Sequence, residues 1–361
     1  MGEDRSCSIP NLILFGAGAS HGSQECCRPP LGPDLFSALQ EFDKSGWGSE
    51  IGELAKCFQN DFETGMGHLP GERFQTRQLK LAEYLFDFEP SNGNLYRRLA
   101  RCIRRFERNK GGLWDGAFAT LNYDRLLQLA LEREYMPFSL LPQSNTYELC
   151  APHGLCNLFS STTPDRVPIS IQHPSASIRD TNPDRPHTLV STRPEFARAS
   201  SIAPIMSFYE REKRSSTHPE WLKARQKRFA ELAARATRIA IVGVSVQEHD
   251  KHVWEPLAST RATLLYCAPY VTEFQTWCRR YRSADNTVAT GAFREKLRDT
   301  HFFGNLLRPT GHCPWRARPC ASVSGSTLFR YAPSPEMLRT QILPLASPLL
   351  AARAGVDFIN T

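Results

Sequence analysis

The chain has 361 residues, 41% of them apolar and 22% charged, with a net charge of +7. That is the balance of a globular protein with a sizeable core, either one large α/β domain with insertions or two domains. No apolar run approaches the roughly 20 residues that span a bilayer. Eleven cysteines are present, but the N-terminus is polar and acidic and no CxxC pair occurs. A secreted disulfide framework and a four-thiolate zinc site therefore both lack support, and reduced thiols in a cytoplasmic protein are expected.

Leu12 to Phe15 form a continuous apolar run that reads as a buried strand, and it opens directly onto Gly16-Ala17-Gly18-Ala19-Ser20. The following "PPLGPDLFSALQEF" predicts a turn and then a helix. Pro33 suits its first position, and Leu35, Phe36, Leu39 and Phe42 share a face. A helix-rich stretch runs on to Asn109, with "RQLKLAEYLFDF" and "LYRRLARCIRRF" as its main helices. In the second, Arg97, Arg98, Arg101, Arg104, Arg105 and Arg108 alternate with Leu95, Leu99, Cys102, Ile103 and Phe106. This is an amphipathic helix whose basic face is either solvated or meets nucleic acid or an acidic partner.

Gly111-Gly112 ends that stretch. Residues 118–121 predict a short strand, Asn122-Tyr123-Asp124 a turn, and Arg125 onward a helix. A second hinge from strand to helix implies a parallel sheet with crossover helices. Short strands are expected over 136–160, and a long loop or insertion over 161–200. A long helix is expected from Ser207 to Ala236, then a strand from Ile239 to Val242, Gly243, a polar loop and a helix. "ATLLYCAP" adds a strand and "VTEFQTWCRRY" a helix, while the tail beyond Gly304 has no readable fold. The expected fold is α/β: a Rossmann-like parallel sheet with flanking helices, built from 1–43 and 111–285. A helical insertion over 44–110 and a C-terminal extension over 286–361 complete the division.

Four short motifs carry chemistry, and each has two readings. The first loop departs from G-x-G-x-x-G, because His21 stands where the third glycine belongs, and no Gly-Lys-Ser/Thr follows. It is either a tight structural turn or a loop whose small residues let backbone N–H groups approach a diphosphate. Asn122 and Asp124 lie where open sheets hold ligands, or else cap the next helix. His153-Gly154 is a structural histidine or a general base with room beside it. Gly243-Val244-Ser245, followed by Glu248 and Asp250, is a second glycine loop. It is not a nucleophile elbow, because Gln247 breaks Gly-x-Ser-x-Gly.

Together and in this order the motifs resemble those of the sirtuin-like family of NAD-consuming enzymes. The resemblance rests on Gly16 to Ser20, Pro30-Leu31-Gly32, Thr120-x-Asn122-x-Asp124, His153-Gly154 and Ile241-Val242-Gly243-x-Ser245. It covers residues 11–270 in outline and looks closest to the bacterial antiphage-defence branch. It implies that NAD is a substrate, cleaved at the nicotinamide–ribose bond. Gly16, Ala17, Gly18, Ala19 and Ser20 would cradle the diphosphate, and Gly243 and Ser245 would supply the second phosphate and ribose contact. Asn122 and Asp124 would serve the nicotinamide ribose, His153 would be the base, and Cys267 would lie near the adenosine end. No metal is expected in this chemistry. The resemblance also implies a homo-oligomer, a HerA-type ATPase as a possible partner, only indirect dealings with nucleic acid, and no membrane. The departures bear on activity. Cys150 and Cys156 flank His153, but the cysteine pairs of the deacylase zinc module are missing. "CCRPPLGPDLF" also replaces the deacylase segment, so Arg28 inherits no role. Deacylation and a non-catalytic NAD or ADP-ribose sensor are the rival readings.

Overall fold

The computed structural model describes residues 9–69, 71–110, 114–160, 187–200, 203–207, 218–269, 271–282 and 287–290. The opening apolar run lies in strand β1 (Ile9–Phe15). Its successive side chains point to opposite faces: Leu12 and Leu14 enter one core cluster, Ile13 and Phe15 another. All four are completely buried. Burial on both faces is what an unbroken apolar strand requires, and helices on both sides of a parallel sheet supply it.

β1 pairs on one side with β2 (Gly116–Thr120) and on the other with β7 (Ala236–Val242), both in parallel. With β3 (Phe138–Ser139), β4 (Tyr147–Cys150), β8 (Thr263–Cys267) and β9 (Thr287–Thr290), the described sheet has seven strands. Their order is β3-β4-β2-β1-β7-β8-β9, and every pairing is parallel. This is a Rossmann-like α/β fold, as the alternation of strands and helices predicts. β9 extends the sheet a few residues into the stretch beyond 285.

Helices α6 (Leu95–Lys110) and α7 (Leu126–Arg133) cover the face of Ile13 and Phe15. Helices α9 (Pro219–Arg235), α10 (Lys251–Ser259) and α11 (Val271–Tyr281) cover the other. Leu95, Leu99, Ala100 and Ile103 of α6 share a cluster with Phe15 and Phe118, so this last helix of the 44–110 segment is part of the sheet's cover. Its arginines face outward, where Arg97 and Arg101 bond to Glu134 at 2.7 and 3.0 Å.

A third cluster joins α2 (Gly32–Phe42), α3 (Gly52–Asn60), α4 (Phe62–Gly67) and α5 (Gly71–Phe86). Phe36 stacks on Phe58 at 5.0 Å, and Trp47 meets Phe58 edge-on at 5.3 Å. Each fully buried aromatic or aliphatic side chain there contributes about 1.5–3 kcal/mol. Among the described residues, no helix is long and apolar enough to cross a membrane.

Two expected elements are corrected. The end of the supposed loop at 161–200 contains β6 (His187–Leu189), paired with β5 (Leu158–Ser160), and helix α8 (Arg193–Ala199). Thr192 and Glu195 form a reciprocal capping box on α8, a signal the sequence carries as T-x-x-E. The helix expected from Ser207 starts at Pro219 instead, after His218 at φ 48°. Ser207 is not helical; its N–H donates to the His153 carbonyl at 2.7 Å. Ala236 likewise begins β7 rather than ending a helix. The expected break at Gly111-Gly112 and the tail beyond Gly304 lie outside the described residues.

A candidate nucleotide crevice at the carboxyl edge of the sheet

The carboxyl ends of β1, β2 and β7 stand side by side, and each opens onto a motif singled out in the sequence. Chain connections leave in opposite directions around β1, which is where open α/β sheets form ligand crevices.

Two glycine loops mesh there. The N–H of Gly16 donates to Val242 O, that of Gly18 to Gly243 O, and that of Ala19 to Gly16 O, at 3.0, 3.0 and 2.9 Å. Gly243 sits at φ +62°, and a Cβ there would come within 2.1 Å of the Ala19 nitrogen. A Cβ on Gly16 would lie 2.7 Å from Gly243 O. These glycines therefore permit backbone-on-backbone contact between the loops. Three N–H groups expected to face a diphosphate are thus engaged, those of Gly16 and Gly18 across the loops and that of Ala19 within the first loop. The outward parts are the exposed Ala17, in the first turn of helix α1 (Ala17–Gly22), and the exposed Ser245. Ser20 turns inward and is 1% exposed.

The sequence left open whether Asn122 or Asp124 caps the helix after β2, and the structure separates them. Asp124 Oδ1 accepts from the Leu126 N–H at 3.0 Å, in the first turn of α7. Asn122 faces the other loop: its Nδ2 donates to Gly16 O at 2.9 Å and to Ser20 Oγ at 2.8 Å. A carbonyl only accepts, so the contact with Gly16 fixes which end of the amide is nitrogen. Asn122 Oδ1 is then an acceptor buried with no donor, on a residue only 6% exposed. Such orphaned atoms are uncommon, and one in a crevice fits a ligand hydroxyl.

Tyr96 of α6 completes the cluster, its hydroxyl 3.0 Å from Ser20 Oγ. Burial and the nearby Asp124 push the Tyr96 phenol well above its usual range, so it stays protonated. Burial also raises the Asp124 carboxyl, against the opposing pull of the Leu126 N–H and the Ser20 hydroxyl. Tyr96 escaped the sequence reading because a tyrosine on an apolar helix face looks like core.

His153 lies beside this cluster and is 4% exposed. Its Nδ1 is 3.2 Å from the Leu121 carbonyl, so Nδ1 carries a proton and Nε2 presents a lone pair. Tyr123 lies face to face with the ring, at 6.1 Å between centroids. Gly154, at φ +76°, lets residues 205–207 press against the turn, where a Cβ would strike Ile205 O at 2.1 Å. His153 Nε2 faces His252 Nε2 at 2.8 Å, and the Asp250 carboxylate belongs to the same group. The sequence reading gave His252 no role and met Asp250 only as part of a polar loop.

The remaining motif residues have quieter positions. Cys150 and Cys156 are buried thiols; burial pushes Cys150 up to about 12 and Cys156 higher still. Cys267 is buried at the end of β8, and its carbonyl accepts from the Gly243 N–H at 2.9 Å. His21 braces the first loop through Nδ1, 2.9 Å from Pro29 O. Arg28 is exposed.

The chain matches no family model and no curated protein. What stands on fold and geometry is a Rossmann-like α/β protein with a buried polar cluster at the carboxyl edge of its sheet.

Proposed function

We propose that this protein hydrolyses NAD at the bond between nicotinamide and ribose, releasing nicotinamide and ADP-ribose. The observation that carries the reading is the Asn122 amide. It is locked by Gly16 O and Ser20 Oγ and its own oxygen is left without a donor, while the carbonyl of the preceding Leu121 holds Nδ1 of His153 and leaves Nε2 as that ring's acceptor. A ribose hydroxyl, or the attacking water, is the donor that oxygen lacks. The sequence resemblance supplies the identity of the ligand, and the crevice supplies residues that fit it.

In the proposed reaction the glycosidic bond breaks with its electron pair going to nicotinamide, which leaves neutral. Water bonds to the ribose carbon, and its proton passes to His153 Nε2, directly or through a ribose hydroxyl. A positioned base of this kind contributes about 10²–10⁴-fold. Asn122 holds the water or the ribose hydroxyls, and Asp124 steadies Asn122 through Ser20 and answers the positive charge of the transition state. The diphosphate lies along the outer side of the 16–20 loop, with Ala17 and the Ser245 hydroxyl toward it. Depletion of NAD in bacterial antiphage defence, by a homo-oligomer working with a HerA-type ATPase, is the biological setting we propose. It rests on the resemblance alone.

The test is product analysis on the purified full chain given NAD, with its activating partner where one is required. Nicotinamide and ADP-ribose in equal amounts, with no acylated peptide present, is the expected result. Turnover only with an acylated peptide would replace this reading with deacylation. Nucleotide binding without product would replace it with sensing.

A further inference from the structure

We propose that His153, Asp250 and His252 together bind one divalent first-row transition cation of the Zn²⁺ type. One ligand atom from each of the three lies within 4.8 Å of the others, although the residues come from two separate segments. Both segments are firmly held. His153 is fixed by its Leu121 contact and by the Ser207 N–H on its own carbonyl. Asp250 stands at the N-cap position of α10 and His252 in its first turn, anchored by the buried Val253 and Trp254.

The orientation of His153 is the second argument. A metal-binding histidine usually gives one ring N–H to a carbonyl or carboxylate, which fixes the tautomer and aims the other nitrogen at the ion. The Leu121 carbonyl does this here, and Nε2 is turned toward His252 Nε2, 2.8 Å away. At that separation the two imidazoles share a proton, with His252 donating. Two nitrogens bound tetrahedrally at about 2.0–2.1 Å from zinc stand roughly 3.3 Å apart. Exchanging the shared proton for a cation therefore needs the rings to part by only about half an ångström, with that proton moving to Nδ1 of His252 so that each neutral imidazole keeps one N–H. His252 is half-buried, which gives an entry path.

The donor set selects the ion. Two imidazoles and one carboxylate suit zinc and its neighbours and leave a position open, whereas Mg²⁺ and Ca²⁺ prefer shells of oxygen. The site was not legible as a metal motif, because its histidines are 99 residues apart. A cation there would occupy the His153 Nε2 that the proposed NAD chemistry uses as its base, so the two are alternative occupants of that nitrogen. The metal test uses no nucleotide, and failure of either reading is separable from failure of the other.

The experiment is a Co²⁺ titration of the full chain after chelator treatment and dialysis, followed by visible absorption. One equivalent should bind and give d–d bands without a thiolate-to-cobalt charge-transfer band. Zn²⁺ should then displace it. His252→Gln and Asp250→Asn, with far-UV circular dichroism checked, should each weaken binding at least about 10-fold. A thiolate charge-transfer band would place the cation on cysteines and overturn the proposal. So would the absence of d–d bands in the unsubstituted chain, or equal affinity in both folded variants.

Discussion

The aromatic layer of α2–α5 and the crevice at the ends of β1, β2 and β7 are both buried, but different physics holds each. In the layer, Phe36, Trp47, Phe58 and Phe62 contribute apolar area and ring contacts, and no single direction matters much. In the crevice, the same depth is filled by backbone carbonyls, an amide, a hydroxyl, a phenol and a carboxyl, each needing a particular partner. The layer responds to changes in volume, and the crevice to the loss of one atom or the gain of one methyl group.

Gly243→Ala tests that contrast most severely. The added methyl group lies 2.1 Å from the Ala19 nitrogen at a left-handed φ, so the two loops must separate. Phe58→Ala removes a whole ring from the layer and should cost about 3–5 kcal/mol in urea unfolding. Gly243→Ala should cost at least as much for a change of one carbon. A loss below about 1 kcal/mol would show that the loops are not meshed as described.

Asp124 gives a smaller effect with a definite sign. Burial raises its carboxyl above the ordinary value near 3.8, so the folded protein holds that proton more tightly than the unfolded chain does. The associated stability is fully present below the unfolded pKa and is lost as pH rises through the folded one. Asp124→Asn removes this titration. Thermal melts should therefore show the variant gaining on the parent between acid and neutral pH; a constant difference would contradict the assignment. The smallest effect belongs to the outer face of α6. Arg101, Arg104, Arg105 and Arg108 line an open cavity of about 290 Å³ with Glu134. Arg105→Glu with Arg108→Glu should change stability by no more than about 0.5 kcal/mol each. A larger loss would mean that the face is structurally committed.

Much of the sheet was legible from the sequence, because β1, β2, β7 and β8 are buried on both faces and so read as apolar runs ending in glycine or small polar residues. The crevice was legible only in part. Asn122 and Asp124 are both good capping residues, and nothing in their spacing says that one serves the helix while the other reaches across to Gly16. Gly16 and Gly18 read as diphosphate-binding glycines, whereas contact with Gly243 is what their backbones do in the fold. Tyr96 and His252 act across long separations, which no local pattern encodes. α8 is different: its Thr192 and Glu195 signature was present in the sequence, inside a stretch dominated by proline and arginine.

The most direct measurement is single-turnover release of nicotinamide from bound NAD by the parent chain, Asn122→Ala and His153→Ala, with NAD binding measured alongside. The account predicts release by the parent, and a rate lower by at least about 10²-fold in both variants while NAD still binds. Undiminished release in both variants would contradict it, since neither the locked amide nor the lone pair on His153 would then take part in the cleavage.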